Sequence, residues 1–116
     1  MGELNWIPTS WSYSAAVKAG NFVFLSGHRG FGDVFVTQFN DAFSRLEKTL
    51  AEFDLPLANL VQVNVRLEHI EDLPEMERLF RQYFGKDLYP AGMTSSTGLL
   101  MTIPFFLSAV SPVERR

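Results

Sequence analysis

The sequence predicts an α+β domain with two helices on one face of a mixed sheet, in the order β-β-α-β-α-β-β. Three observations predict it. Tyr13 to Leu25 reads as two extended runs around a Gly-Asn turn. Val61 to Leu67 alternates apolar and polar residues with period two. Two further segments carry apolar residues at three- and four-residue spacing, as helices do.

The elements follow in order. Residues 1–12 hold Trp6, Ile7, Pro8 and Trp11 among polar neighbours, an extended lead-in whose indoles pack on the sheet or on a second subunit. Tyr13–Val17 and Phe22–Leu25 form a hairpin across Lys18–Asn21, because Gly20 and Asn21 tolerate the positive φ of a tight turn. The second strand ends on Ser26-Gly27, where backbone amides can approach a ligand. A Gly- and Phe-rich loop, His28 to Val36, comes next.

Thr37 is suited to cap a helix, with Asp41 in its first turn. Phe39, Ala42, Phe43, Leu46, Leu50 and Phe53 make its buried stripe, and Pro56 prevents continuation. In the strand Val61–Leu67, Gln62, Asn64 and Arg66 face away from Val63, Val65 and Leu67. Asp72-Leu-Pro-Glu75 resembles a capping box. It opens a helix with Leu73, Met76, Leu79, Phe80, Tyr83 and Phe84 buried and Gly85 at its end. Two more strands follow, Gly92–Thr97 and Ile103–Val110, before a frayed tail from Pro112.

A chain of 116 residues forms one domain over 1–116, and 47% hydrophobic residues with eleven Phe supply its core. The net charge is −3 and the ten Lys and Arg are scattered, so nucleic acid is not an expected partner. No apolar run approaches the roughly 20 residues of a membrane span. MGELNW lacks the plan of a signal peptide, and there is no cysteine for disulfides or thiolate chemistry. A cytoplasmic protein is expected. A sheet covered on one face only would leave the polar side of Val61–Leu67 and the doubly apolar Phe105-Phe106-Leu107 in water, which predicts a homo-oligomer.

Several constellations could carry chemistry, and each has a plainer reading. His28 and His69 accompany many serines, but no G-x-S-x-G turn is present, and each reads as a hydrogen-bonding or surface residue. Glu68, His69, Glu71 and Asp72 match no ligand spacing, so no metal and no cofactor is expected. Gly27, Gly30 and Gly32 follow a strand as G-x-x-G-x-G with no helix directly after, which reads as a loop rather than a phosphate cradle. Thr94 to Thr97 line up hydroxyls, two to each face, beside Gly92. Arg29 and Arg66 are the cations nearest the hairpin end or the uncovered sheet face, with a salt bridge as the plain reading of each.

The stretch YSAAVKAGNFVFLSG resembles the opening signature of the Rid (reactive intermediate deaminase, YjgF-like) family, whose members also carry the name L-PSP endoribonuclease. The resemblance continues through TQFNDAFSRLEKTLAEFDLPLANLVQVNVRLEHIEDLPEMERLFRQYFG and Tyr89-Pro90-Ala91, nearly the whole chain. It implies a chorismate-mutase-like fold, a homotrimer, and ligand clefts between subunits. It also implies that Tyr13, Ser26, Gly27 and Thr94 stand at cleft positions. Active deaminases of the family carry an Arg directly after Pro-Ala to grip the substrate carboxylate, and a Glu in the last strand to position water. Here those positions hold Gly92 and Ser108.

The expectation is therefore a Rid-like homotrimer that binds a small metabolite at Tyr13, Ser26, Gly27, Gly92, Thr94 and Ser108, without the usual deamination of 2-iminoacids. Deamination of imines or enamines, or hydrolysis of another small molecule, would need a substitute cation such as Arg29 or Arg66. Ribonuclease or translation-inhibitor activity is a third and weaker expectation, because the chain is acidic.

Overall fold

The computed structural model describes residues 5–85, 89–96 and 105–114. Six strands form one sheet in the order β1-β2-β3-β6-β4-β5, with β1 Asn5–Pro8, β2 Ser14–Ala19, β3 Phe22–Gly30, β4 Gln62–Leu67, β5 Thr94–Ser96 and β6 Phe105–Pro112. All neighbours are antiparallel except β4 and β5, so the sheet is mixed. Helices α1, Phe35–Ala51, and α2, Leu73–Phe84, lie on one face.

The two-period and four-period patterns explain which residues are buried. Val63, Val65 and Leu67 of β4, Leu107 and Ala109 of β6, and Val23 and Leu25 of β3 turn toward the helices. Phe39, Ala42, Phe43, Leu46 and Leu50 of α1 meet them, as do Met76 and Leu79 of α2. Between the helices, Phe43 stacks on Tyr83 with ring centres 4.7 Å apart and meets Phe80 edge-on at 5.9 Å. Those contacts are favourable beyond the area they bury.

Several boundaries differ from the sequence expectation. The lead-in pairs with β2 as strand β1, adding an element to the expected order. Ala19 pairs with Phe22, so the turn is only Gly20-Asn21, and φ of 61° at Gly20 suits a residue without a Cβ. β3 continues past Ser26-Gly27 to Gly30, which removes the first three residues from the expected loop. α1 begins at Phe35, two residues earlier than Thr37 suggests; Thr37 sits in the first turn, where its Oγ1 accepts the Val34 N–H at 3.3 Å. Asp41 then falls in the second turn. α2 starts after Asp72, whose side chain makes no capping bond because its backbone is already helical. β4 lies fifth in the sheet, and β3 and β6 occupy the middle. Residues 97 and 103–104, expected in strands, lie outside the described residues, as do the side chains of Phe105 and Phe106.

The end of the chain is anchored rather than frayed as far as Glu114. Asn59, 1% exposed, donates from Nδ2 to Ser111 Oγ at 2.9 Å and to the carbonyl of Pro112 at 2.7 Å. Val113 N–H donates to Asn21 O at 2.9 Å, tying the tail to the hairpin turn. Removing the amide leaves buried acceptors without a donor, which costs about 1–3 kcal/mol. Asn59→Ala should therefore lower the urea midpoint with little change in m. An unchanged midpoint would show that the anchor carries no stability.

Candidate functional site

The site begins with an irregularity in β3. Leu25 pairs with Ala109 and His28 with Leu107, so two residues, Ser26 and Gly27, oppose the single Ser108 of β6. This is a β-bulge, and it reverses the alternation of the strand. Val23 and Leu25 point to the core before it, and His28 and Gly30 are buried after it. Arg29 is thereby delivered to the uncovered face, in register with Phe106.

The bulge is held from both sides. Ser26 Oγ lies 2.8 Å from Ser14 O and 3.1 Å from Ala15 O, and donates to this pair of β2 carbonyls. His28 Nδ1 lies 2.7 Å from Ser26 O and Nε2 lies 2.8 Å from Thr49 Oγ1 on α1. A carbonyl can only accept, so Nδ1 carries the proton; in the neutral ring Nε2 is then an acceptor for the Thr49 hydroxyl, which also lies 3.2 Å from the Arg45 carbonyl. Burial pushes the His28 imidazole below its ordinary value of 6.5; the Ser26 bond opposes this and the Arg45 charge adds to it. The neutral ring is thus a strut between bulge and helix.

Beside the bulge lies a cavity of about 310 Å³. Tyr13, Ser26, Gly27 and Arg29 all line it. Three aromatic rings contribute: Tyr13, Trp11 from the turn between β1 and β2, and Phe31 from the loop after β3. Thr9 shapes the first turn, with Oγ1 accepting Trp11 N–H at 3.1 Å and donating to Tyr13 O at 2.5 Å. The guanidinium of Arg29 lies 5.8 Å from the Trp11 ring centre, and that of Arg45 lies 5.3 Å from the Phe31 ring centre. Asp41 fixes the second pair, since its Oδ2 accepts Phe31 N–H at 2.9 Å and Arg45 Nε–H at 3.0 Å. Those two bonds hold the Asp41 carboxyl below its ordinary range.

The other expected site residues distribute differently. Ser108 faces away from the helices, opposite the bulge and in register with Asn64 of β4. Asn64 Oδ1 accepts Met93 N–H at 3.1 Å, so this row reaches the chain entering β5. Arg66 shares a face and a register line with Arg29, one on each side of β6. Gly92 and Thr94 line a second cavity, about 370 Å³, between α2 and the β4–β5 edge with Met76 and Phe80. Thr94 Oγ1 points into it, 3.8 Å from Met76 Sδ. Thus one protomer brings Tyr13, Ser26, Gly27 and Arg29 together and keeps Gly92 and Thr94 apart from them.

Gly92 has a reason of its own to be glycine. A Cβ built there overlaps the carbonyl oxygen of Val63. The close approach accompanies the parallel pairing of this segment with β4, seen in Ala91 N–H to Val61 O at 2.9 Å and Val63 N–H to Ala91 O at 2.8 Å. A side chain at 92 requires backbone movement.

Residues 5–102 match the sequence model of the family described as Endoribonuclease L-PSP. The chain belongs to this family. Protein MMF1, mitochondrial, of Saccharomyces cerevisiae is 31% identical over 85 residues, which are 66% of this chain and 58% of that protein. A RutC family protein of Pyrococcus abyssi is 29% identical over 83 residues, 64% of this chain and 65% of its own length. The sequence alignments thus span about three-fifths of each relative. Among solved structures, a YjgF-family protein of Streptococcus pyogenes superposes with a TM-score of 0.88 at 23% identity, covering 100% of both chains. Yeast Mmf1 gives 0.87 at 23% identity, covering 95% of this chain and 98% of its own. A YjgF/YER057c/UK114-family protein of Mycobacterium tuberculosis gives 0.86 at 24%, covering 95% and 99%. At these identities the superpositions establish the fold of this L-PSP/YjgF-family chain.

The sequence reading missed Trp11, Phe31 and Arg45 as cavity residues, and Asp41 as the carboxylate that bonds the last two. Nothing local marks them, because they meet only when the bulge and the start of α1 are in place. Gly27 inside an apolar run was the available signal for the bulge.

Two outcomes follow for stability. The unfolded chain protonates His28 before the folded chain does, so stability is full above about pH 6.5 and declines as pH falls through that value toward the lower folded one. Urea midpoints measured from about pH 7.5 to about pH 5 should fall, and His28→Gln should flatten that slope. An equal slope in both proteins would remove the strut from its role. Gly92→Ala should lose about 1–3 kcal/mol, the usual range for overpacking; a neutral effect in the same titration would show that β5 moves freely from β4.

Proposed function

We propose that this L-PSP/YjgF-family chain acts as a Rid-like homotrimer that binds a small metabolite in clefts between subunits and does not deaminate 2-iminoacids by the usual route. The observation that carries this reading is the single cavity shared by Tyr13, Ser26, Gly27 and Arg29, set against a Gly92 packed too closely on Val63 to bear a side chain. The usual route needs a guanidinium at 92 and a carboxylate at 108. Gly92 and Ser108 supply neither, so the gripping and water-positioning groups of that chemistry are missing.

Assembly is supported by the uncovered face of the sheet. Trp6, Val17, Phe24, Val110 and Gln62 form one cross-strand row there, and Trp6 and Phe24 are about half exposed. Packing such rows against copies of themselves removes apolar surface from water. In the trimer, the Gly92–Thr94 cavity of one subunit facing the Tyr13–Arg29 cavity of the next would complete each cleft.

One observation favours a second reading, an imine deaminase or other small-molecule hydrolase with a different cation. Arg29 lines the cavity and makes no ion pair among the described residues. Arg66 is also on the uncovered face and is a weaker candidate, because it is not part of that lining. The family's description as an endoribonuclease finds less support here. The chain is acidic, and phosphate recognition draws its affinity from clustered cations. A cytoplasmic location goes with this reading; no helix among the described residues is long and apolar enough to cross a membrane.

Sedimentation equilibrium should give three times the mass of the chain, and Phe24→Asp should shift it toward monomer. A monomeric parent protein would overturn the proposal. Freshly generated 2-aminoacrylate should be hydrolysed no faster with the protein than without it; clear turnover would instead establish the deaminase reading.

A further inference from the structure

We propose that His28, Thr49 and the Arg45 carbonyl form an acid-sensitive latch, which holds the Phe31 side of the bulge cavity while His28 is neutral and releases it when the ring is charged. The device belongs to the fold and does not depend on what the cleft binds.

A continuous chain of hydrogen bonds runs from the bulge to that side of the cavity. Ser26 O accepts from His28 Nδ1 at 2.7 Å, and His28 Nε2 meets Thr49 Oγ1 at 2.8 Å. Thr49 Oγ1 also lies 3.2 Å from the carbonyl of Arg45, one helical turn back. Arg45 gives its Nε–H to Asp41 at 3.0 Å, and the same carboxylate oxygen accepts Phe31 N–H at 2.9 Å. The Arg45 guanidinium lies 5.3 Å from the centre of the Phe31 ring. Asp41 is thus a positioning residue for the Phe31 loop.

The Thr49 hydroxyl makes the chain bistable, because it has one hydrogen and two neighbours that can take it. While the ring is neutral, Nε2 is an acceptor and the hydroxyl points at it. A proton taken from water at Nε2 turns that nitrogen into a donor. The hydroxyl then rotates and gives its hydrogen to the Arg45 carbonyl. A Thr hydroxyl bonded to the carbonyl four residues earlier slightly weakens its helix and often bends it. The bend falls at Arg45, the residue through which Asp41 and Phe31 are held.

Charge favours the released form. The charged and titratable groups around the ring are Arg29 on β3, Arg45, Lys48 and Asp41 on α1, and Tyr13 before β2. β6 places Leu107 opposite the ring. A charged His28 therefore joins three cations that face one carboxylate. Arg29 and Arg45 line the cavity with His28, so each has open space into which it can withdraw. Burial resists charging of His28 in the closed form and holds its pKa below the ordinary 6.5; opening hydrates the ring and removes that resistance. Protonation thus favours the open form as pH falls below about 6.5, by at most about tenfold per pH unit. The effect ends at the lower pKa of the closed form.

Nuclear magnetic resonance of the assembled protein reads the latch from about pH 7.5 to about pH 4.5. Asp41 stays ionised over this range, since its carboxyl lies below its ordinary value of 3.8. The chain has only two His, so His69→Gln identifies the His28 ring signal. The Phe31 N–H and Arg45 Nε–H signals should shift with the same midpoint as the His28 ring, below about pH 6.5. His28→Gln should abolish both shifts. Thr49→Val should leave His28 titrating and reduce the Phe31 and Arg45 shifts, and Thr49→Ser should restore them. Circular dichroism confirms that each variant is folded, and the titration of the parent protein decides the matter for any that is not. Phe31 and Arg45 signals that stay constant while His28 titrates overturn the latch, as do equal shifts in His28→Gln. Undiminished shifts in Thr49→Val remove the hydroxyl relay and overturn it equally.

Discussion

The extra residue in β3 is the constraint from which the site follows. A strand with strict alternation would place residue 28 with Phe24 on the open face and residue 29 in the core. A buried, unpaired arginine there would be strongly destabilising. Because Ser26 and Gly27 together oppose Ser108, His28 goes inward and Arg29 outward. The cost of interrupting the ladder is offset by the Ser26 hydroxyl, shared between two β2 carbonyls, and by the bond from His28 to the bulge carbonyl. Thr49 then ties the same imidazole to α1, which links helix and bulge.

That tie explains why the cavity joins elements distant in sequence. Trp11 and Tyr13 arrive on the turn before β2, Arg29 on β3, Phe31 on the loop that follows, and Arg45 on α1. Asp41 closes the set by bonding a backbone N–H and a guanidinium with one oxygen. At the β4–β5 edge, the close parallel packing of Ala91 and Gly92 on β4 leaves no room for a Cβ at residue 92. The edge cavity beside Gly92 and the bulge cavity beside Arg29 thus lie on separate elements of one sheet.

The helices and β4 were legible in the sequence because their signals are periodic and long. Phe39 through Leu50 repeats at helical spacing, and Val61 to Leu67 at strand spacing. The mixed sheet with two helices on one face followed from their order, and family membership from the YSAAVKAGNFVFLSG stretch. The end of β3 was not legible, since Ser-Gly-His-Arg-Gly reads as a loop by composition and becomes strand only through pairing with β6. The start of α1 was displaced for a similar reason. Thr37 has the chemistry of a cap, but its hydroxyl serves the Val34 N–H from inside the first turn. Tyr13, Ser26 and Gly27, which the resemblance puts at a cleft, and Arg29, expected near the hairpin end, line one cavity of the protomer. Trp11, Phe31 and Arg45 needed the fold, because their convergence depends on the phase reversal in β3.

The position of Arg29 in crystals of the assembled protein tests this arrangement most directly. Its guanidinium should lie on the open face of the sheet beside Trp11, with His28 turned inward between Ser26 O and Thr49 Oγ1. A β3 strand without the extra residue, with residue 28 on the open face and residue 29 in the core, would contradict it.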